Sequence, residues 1–374
     1  MNGGPGAAAP PAVSVVIPLH EGAGFVDRAI ESVLRQEGVS LELVVRDDGS
    51  RDDSFGAARR AVGPDPRARV DRTSENLGIA RTVNGAVRTV RGEWVLILHQ
   101  DCELLGRDAL ARAVPEDSVG GPVWLVGTPV IDPGRLSRAE RWFWIIRNHL
   151  YSTTAGDVRT GRLDLFSENK CDLIRKDVFE TLGGFDESIV GGGEDQVLAA
   201  HARRRGVQAL PAPGLRFAIS LGAASSVRTN LGKEFRYGHQ VKQVLRRVGP
   251  DYADRGTGAA RDARWLNRVE GLLWILATVA LVALFAVVVP GLLPFAVVPA
   301  FMRAGLFEAR AYRVRRAYLL RGADLGVLPW VGLIADLWYA AGLLTPIRAR
   351  AEGRGAASKR DLGAPATSRE PPNA

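Results

Sequence analysis

Five consecutive apolar residues, Trp94-Val95-Leu96-Ile97-Leu98, run without a polar interruption and stop abruptly at His99-Gln100-Asp101. Such a run is the pattern of a strand buried on both faces, which a sheet covered by helices on either side provides. The segments before it alternate in the same way. Val13-Ser14-Val15-Val16-Ile17 reads as a strand closed by Pro18, and residues 24–36 carry Phe25, Ala29, Ile30, Val33 and Leu34 at helical spacing. Leu41-Glu42-Leu43-Val44-Val45 gives a second strand, residues 52–62 a helix and residues 69–71 a short third strand. A helix with Ile79, Val83, Ala86, Val87 and Val90 on one face then leads to Trp94. This alternation predicts an α/β fold with a doubly wound, largely parallel sheet and right-handed crossovers.

In sheets of this kind ligands bind in the crevice beyond the carboxyl ends of the strands. Asp101 stands at such an end and is a candidate ligand for a hard divalent ion that also grips phosphate oxygens; an ordinary loop acid or a helix cap is the plainer reading. Arg46-Asp47-Asp48-Gly49-Ser50, after the second strand, makes a turn suited to the base and ribose of a nucleotide, or a polar cap for the helix that follows. Neither Gly-x-Gly-x-x-Gly nor Gly-Lys-Ser/Thr occurs after the first strand, which disfavours a dinucleotide-dependent oxidoreductase and a P-loop enzyme. Further along, residues 127–131 and 168–174 read as strands. Trp142, Phe143, Trp144, Ile145 and Ile146 form an aromatic helix better suited to a core or a membrane than to stacking on sugars. Gly183-Gly184-Phe185-Asp186-Glu187 and Gly193-Glu194-Asp195 follow, the second opening a helix over residues 196–205 whose start favours an acid.

Over residues 13–210 these motifs, in this order, resemble the family 2 glycosyltransferases, which have the GT-A fold. The strand ending at Pro18 matches the family's opening strand, although Leu19-His20-Glu21 replaces its usual Thr-Tyr-Asn. Residues 44–50 are similar to its nucleotide-binding Asp-Asp-Gly-Ser segment, Asn76-Leu77-Gly78 with Asn84-Gly85 to its Asn-x-Gly helix, and His99-Gln100-Asp101 to its Asp-x-Asp. The resemblance implies a nucleotide-sugar site made by Pro18, Glu21, Asp47, Asp48, Asn76, Gly78, His99 and Gln100, with a divalent cation, Mn²⁺ or Mg²⁺, on Asp101. His99, where the family has its first aspartate, is a ligand that would favour Mn²⁺, a sugar contact, or a histidine hydrogen-bonded at the sheet's edge. On the acceptor side the resemblance places Gly184, Phe185, Asp186 and Glu194, with Asp195 as catalytic base; Val197 and His201 depart from the commoner Asp and Arg. The implied reaction is a single inverting displacement. The absence of Gln-x-x-Arg-Trp argues against a processive polymer synthase, and the His-Gln-Asp variant resembles rhamnosyltransferase-like members.

Beyond residue 222 membrane physics takes over. Residues 225–248 mix Arg228, Lys233, Arg236, Lys242, Arg246 and Arg247 with Phe235, Tyr237, Val241, Val244 and Leu245, as a helix lying on anionic headgroups would. Residues 272–302 hold no charged residue, enough for one span or for a hairpin broken at Pro290-Gly291. Residues 325–347 hold only Asp336, read as the polar side of an interfacial helix. The arginines between these segments, Arg303, Arg310, Arg313, Arg315, Arg316 and Arg321, prefer the cytoplasm, and so favour the hairpin. The expected organisation is a disordered leader (1–12), a glycosyltransferase domain (13–222), a basic connector (223–267), membrane-associated helices (268–347) and a disordered basic tail (348–374).

The net charge of +8 gathers near the apolar segments, which points to a membrane and away from nucleic acid. Two cysteines and no apolar leader place the catalytic domain in the reducing cytosol, and there is neither an internal repeat nor a zinc-like spacing. The partners implied are a nucleotide-diphosphate sugar, a lipid-linked or cell-surface glycan acceptor and the cytoplasmic membrane. The alternatives are a polyprenyl-phosphate sugar transferase and an inactive membrane scaffold of the same fold, for which His99 is the best argument.

Overall fold

A computed structural model of the full chain describes residues 11–115, 123–130, 132–146, 170–207, 209–219, 226–249 and 264–346. The expected leader, as far as residue 10, and the expected tail lie outside the described residues. Eight strands form one sheet in the order β3-β2-β1-β4-β7-β6-β8-β5. The strands β1 (Val13–Leu19), β2 (Leu41–Asp47), β3 (Ala68–Arg72) and β4 (Trp94–Leu98) run parallel, separated by helices α1 (Val26–Leu34), α2 (Ser54–Val62) and α3 (Ile79–Val87). Side-chain alternation divides their residues between two cores. Val13, Val15, Ile17 and Leu43 meet α1, while Val16, Val44, Val95 and Ile97 meet α3.

The other half of the sheet corrects the expectation of a largely parallel one. β7 (Cys171–Arg175) runs antiparallel to both β4 and β6 (Trp124–Val130), β8 (Leu210–Ile219) is parallel to β6, and the three-residue β5 (Cys102–Leu104) closes the far edge against β8. Pro18 sits inside β1 rather than ending it. The ladder to β4 stops at Val16, so the missing N–H of Pro18 leaves no gap in that ladder.

Four short helices decorate this half: α4 (Ala109–Ala113), α5 (Arg138–Ile145), α6 (Lys176–Thr181) and α7 (Glu194–Arg204). A capping box between Ser137 and Glu140 starts α5, whose Phe143 and Ile145 are fully buried against the C-terminal helices. Those helices are α8 (Val227–Val248), α9 (Arg264–Val287), α10 (Val298–Val314) and α11 (Gly322–Leu344); a 3₁₀ segment at Pro290–Val297 turns the chain between α9 and α10.

Two features differ from the sequence expectation. α8 is a buried bridge, not only a surface helix. Val241, Val244 and Val248 pack on one side, where Val244 and Val248 meet Val197 and Ala200 of α7, and its Gly238 abuts α11. Asp336 is fully buried and ion-paired with Arg303 of α10, because a carboxylate on a face packed between helices has to find a cation.

Candidate functional site

The carboxyl ends of β1, β2 and β4 are laced together by their own polar side chains. Gln100 folds back on the end of β1, its Oε1 accepting the His20 N–H at 2.8 Å and its Nε2 donating to the His20 carbonyl at 3.0 Å, a side-chain imitation of a sheet ladder. A Cβ on Gly22 would lie 2.5 Å from Gln100 Oε1, so the clasp depends on glycine there. The His20 ring spans the next gap, with Nδ1 at 3.0 Å from the Asp48 carbonyl and Nε2 at 2.9 Å from Asn76 Nδ2. Glu21, held at φ +50°, donates its N–H to Ser50 Oγ and accepts the Arg51 N–H on Oε1.

Asp47 and Asp48, expected beside a base, are interior supports. Asp47 is fully buried and paired with Arg72 at 3.0 Å. The Asp48 carboxylate accepts the backbone N–H groups of Leu77 at 2.7 Å and Gly78 at 2.9 Å, fixing the turn that opens α3. Both carboxylates are engaged inside the protein, and the exposed Asn76 stands beside the turn that Asp48 holds.

Asp101 lies directly beyond β4, and its surroundings were not foreseen. Lys170, the residue before β7, donates to both carboxylate oxygens at 2.9 and 3.2 Å. Antiparallel pairing of β4 with β7, extended by the His99 N–H to the Lys170 carbonyl at 3.0 Å, brings them together across 69 residues of chain. The two side chains remain 22% and 26% exposed, so the pair has a face toward solvent. Burial opposes charge on both groups; their mutual attraction outweighs it, holding the Asp101 carboxyl below its ordinary range and the Lys170 ammonium above its own. Burial, then the Lys170 charge, lowers His99 to about 4, so its ring is neutral at neutral pH; its Nε2 is buried without a hydrogen-bond partner.

The divalent cation expected at Asp101 does not fit these residues as they stand. A divalent ion of this kind takes one or two carboxylates together with the substrate's phosphate oxygens, and at Asp101 both carboxylate oxygens already receive the Lys170 ammonium, which the ion would have to displace. Among the described residues no three His, Cys, Asp or Glu side chains are placed to share an ion.

Asp195 arrives from the other side of the sheet. Gly191, Gly192 and Gly193 all adopt positive φ (+81°, +115° and +103°), and a Cβ on Gly193 would meet Val244 of α8 at 2.7 Å. Only glycines let the start of α7 press this closely on α8. Gln243 clasps Val190 through both its amide atoms, and Arg247 holds Asp186. Glu194 is buried and Asp195 partly exposed in the first turn of α7. α8 thus backs the start of α7, which carries Glu194 and Asp195. Gln240 of α8 abuts Gly192.

The remaining acceptor-side residues divide. Phe185 is 3% exposed and stacks edge-on against Phe179. Gly184 and Phe185 are fastened to α3 through Asn84, which accepts the Phe185 N–H and donates to its carbonyl. Asp186 and Gly184 line a separate cleft of about 530 Å³ with Arg88, His201 and Arg247. Lys170 and His20 were missed by sequence reasoning. Lys170 had one usable signal, a lone cation immediately before a buried strand.

A sequence profile for glycosyl transferase family 2 matches residues 14–183. The succinoglycan biosynthesis protein ExoO of Rhizobium meliloti is 36% identical over 111 residues, 30% of this chain and 31% of that protein. A chondroitin synthase of Pasteurella multocida is 33% identical over 106 residues, 28% of this chain and 11% of the synthase. The chain therefore spans about a third or less of the length of these curated relatives. Among solved structures, the mannosyltransferase PcManGT of Pyrobaculum calidifontis, in complex with GDP-Man and Mn²⁺, superposes with a TM-score of 0.52 at 18% identity, covering 89% of this chain and 88% of that one. This likeness speaks to the fold alone.

Proposed function

We infer that this chain, which belongs to the family 2 glycosyltransferases through residues 14–183 and has their GT-A fold, moves a single sugar from a nucleotide-diphosphate donor to a hydroxyl of a lipid-linked or cell-surface glycan. The observation that carries the reading is the placement of Asp101 directly beyond β4 and of Asp195 in the first turn of α7, in a chain whose residues 14–183 match the family profile. The donor's nucleoside lies along the backbone turns held by Asp48, Gln100 and His20, and its diphosphate reaches toward the end of β4. Asp195 takes the proton of the acceptor hydroxyl as that oxygen attacks the anomeric carbon, and a single displacement inverts the carbon.

The acceptor is held at the cytoplasmic face of a membrane. Supporting this half of the proposal, residues 290–313 and α11 are each long and apolar enough to cross a bilayer. Around them Leu276, Val279, Phe295, Phe301, Trp330 and Trp338 are exposed, a contiguous apolar surface that water does not favour.

The test is a panel of nucleotide-sugars with the full chain in detergent, comparing the native chain with Asp195→Asn. The reading expects one donor to be turned over with inversion of its anomeric carbon, read by NMR of the product. It also expects the variant to bind nucleotide normally while transfer falls about 10²-fold or more. Turnover close to normal in Asp195→Asn would remove the base from the scheme.

A further inference from the structure

We propose that the Lys170 ammonium, carried on Asp101, takes the part of a divalent ion in this enzyme: it faces the donor's diphosphate directly, and transfer needs no added metal. The proposal rests on the reading of the chain as a nucleotide-sugar transferase.

Three observations lead to it. Lys170 donates to both Asp101 oxygens, so the carboxylate orients a resident cation instead of being held open for a soluble one. An ion entering there would have to displace that ammonium or stand beside it as a like charge. The pair is about a quarter exposed at the carboxyl end of the sheet, where ligands of such folds lie, so the ammonium can reach a phosphate oxygen while still anchored. An ammonium has three donors; two serve Asp101 and one is left for the ligand.

In the transfer step the bond between the anomeric carbon and the β-phosphate oxygen breaks, leaving its electron pair on that oxygen. There Lys170 supplies the opposing charge, keeping all its protons. The new bond forms from the acceptor oxygen to the same carbon, and the acceptor's proton passes to Asp195. Lys170 thereby stabilises the leaving group electrostatically, as an arginine or lysine clamp does on other transferring phosphates.

The test measures binding of UDP and of GDP by calorimetry to the full chain in detergent, stripped with a chelator, and again with Mn²⁺ or Mg²⁺ restored. One of the two diphosphates should bind to the stripped protein, and restored metal should change its affinity less than about threefold, well under one charge-assisted bond. Lys170→Met should weaken that binding by about tenfold to a hundredfold with no rescue by metal, whereas Lys170→Arg, which keeps the charge, should retain most of it. The Arg variant guards against the Met variant's simply failing to fold. Binding by the native chain only when metal is present would overturn the proposal and leave the glycosyltransferase reading standing. Absence of binding in every condition, together with no turnover across the donor panel, would overturn both.

Discussion

The contact between α8 and α11 sets a severe geometric condition on two glycines. A Cβ at Gly238 would lie 2.9 Å from both the carbonyl carbon of Tyr339 and the nitrogen of Leu343, with the Tyr339 oxygen nearer still. One at Gly342 would lie 2.8 Å from the carbonyl carbon of Phe235 and 3.2 Å from the nitrogen of His239. All are backbone atoms, which cannot rotate away as side chains do. Gly238→Ala must therefore push two helices apart by roughly 1 Å, at an overpacking cost of about 3 kcal/mol. Alanine returns about 1 kcal/mol through its better helix propensity, leaving a net loss of about 2 kcal/mol. For a chain this long that is a fall in Tm of about 2.5 °C in a detergent melt. Gly305→Ala is the control: it lies inside α10 with nothing within 4 Å of the added Cβ, and should leave Tm unchanged or raised. If Gly238→Ala matched Gly305→Ala, the close crossing would be refuted, and with it the coupling of α8 to the apolar helices.

Other consequences are as direct. Asp48→Ala removes two charge-assisted bonds, from the Leu77 and Gly78 N–H groups, worth about 3 kcal/mol together. Amide exchange at those two residues should accelerate and UDP or GDP affinity should fall; unchanged exchange would mean the turn holds itself. His99 titrates at about 4 in the fold against an ordinary 6.5, so the unfolded chain takes up a proton that the folded one refuses. Its contribution to stability is complete above pH 6.5, declines as pH falls through 6.5 and levels off near 4, a loss of about 3 kcal/mol. Subtracting the acid unfolding curve of His99→Gln from that of the native chain should expose this slope, and identical curves would deny that the ring is held neutral.

What the sequence made legible follows from how local each signal is. β1, β2 and β4 are apolar runs between turns, and α1 and α3 carry regular apolar faces, so both can be read without knowing their neighbours. β8 could not be read that way. It begins Leu210-Pro211-Ala212-Pro213-Gly214, a sequence of strand breakers, and is held by β6 through a register shift at Gly127/Thr128. The acids Asp48, Asp101 and Asp195 could be picked out as candidates, yet their partners could not. Leu77, Lys170 and α8 are joined to them only by the fold, and the partner decides whether a carboxylate faces a ligand or supports a turn. Asp336 shows the same limit, since only packing reveals that Arg303 stands opposite it.

The central claim, that the loops carrying Asp101 and Asp195 border a single donor site, is tested most directly by a crystal or cryo-EM structure of the full chain soaked with UDP or GDP. The account predicts the diphosphate within hydrogen-bond distance of Lys170 Nζ, the nucleoside along the turns at residues 48 and 76, and Asp195 facing the phosphate end. Nucleotide seated instead in the cleft between Asn84, Arg88 and Arg247, with the Lys170–Asp101 pair untouched, would contradict it.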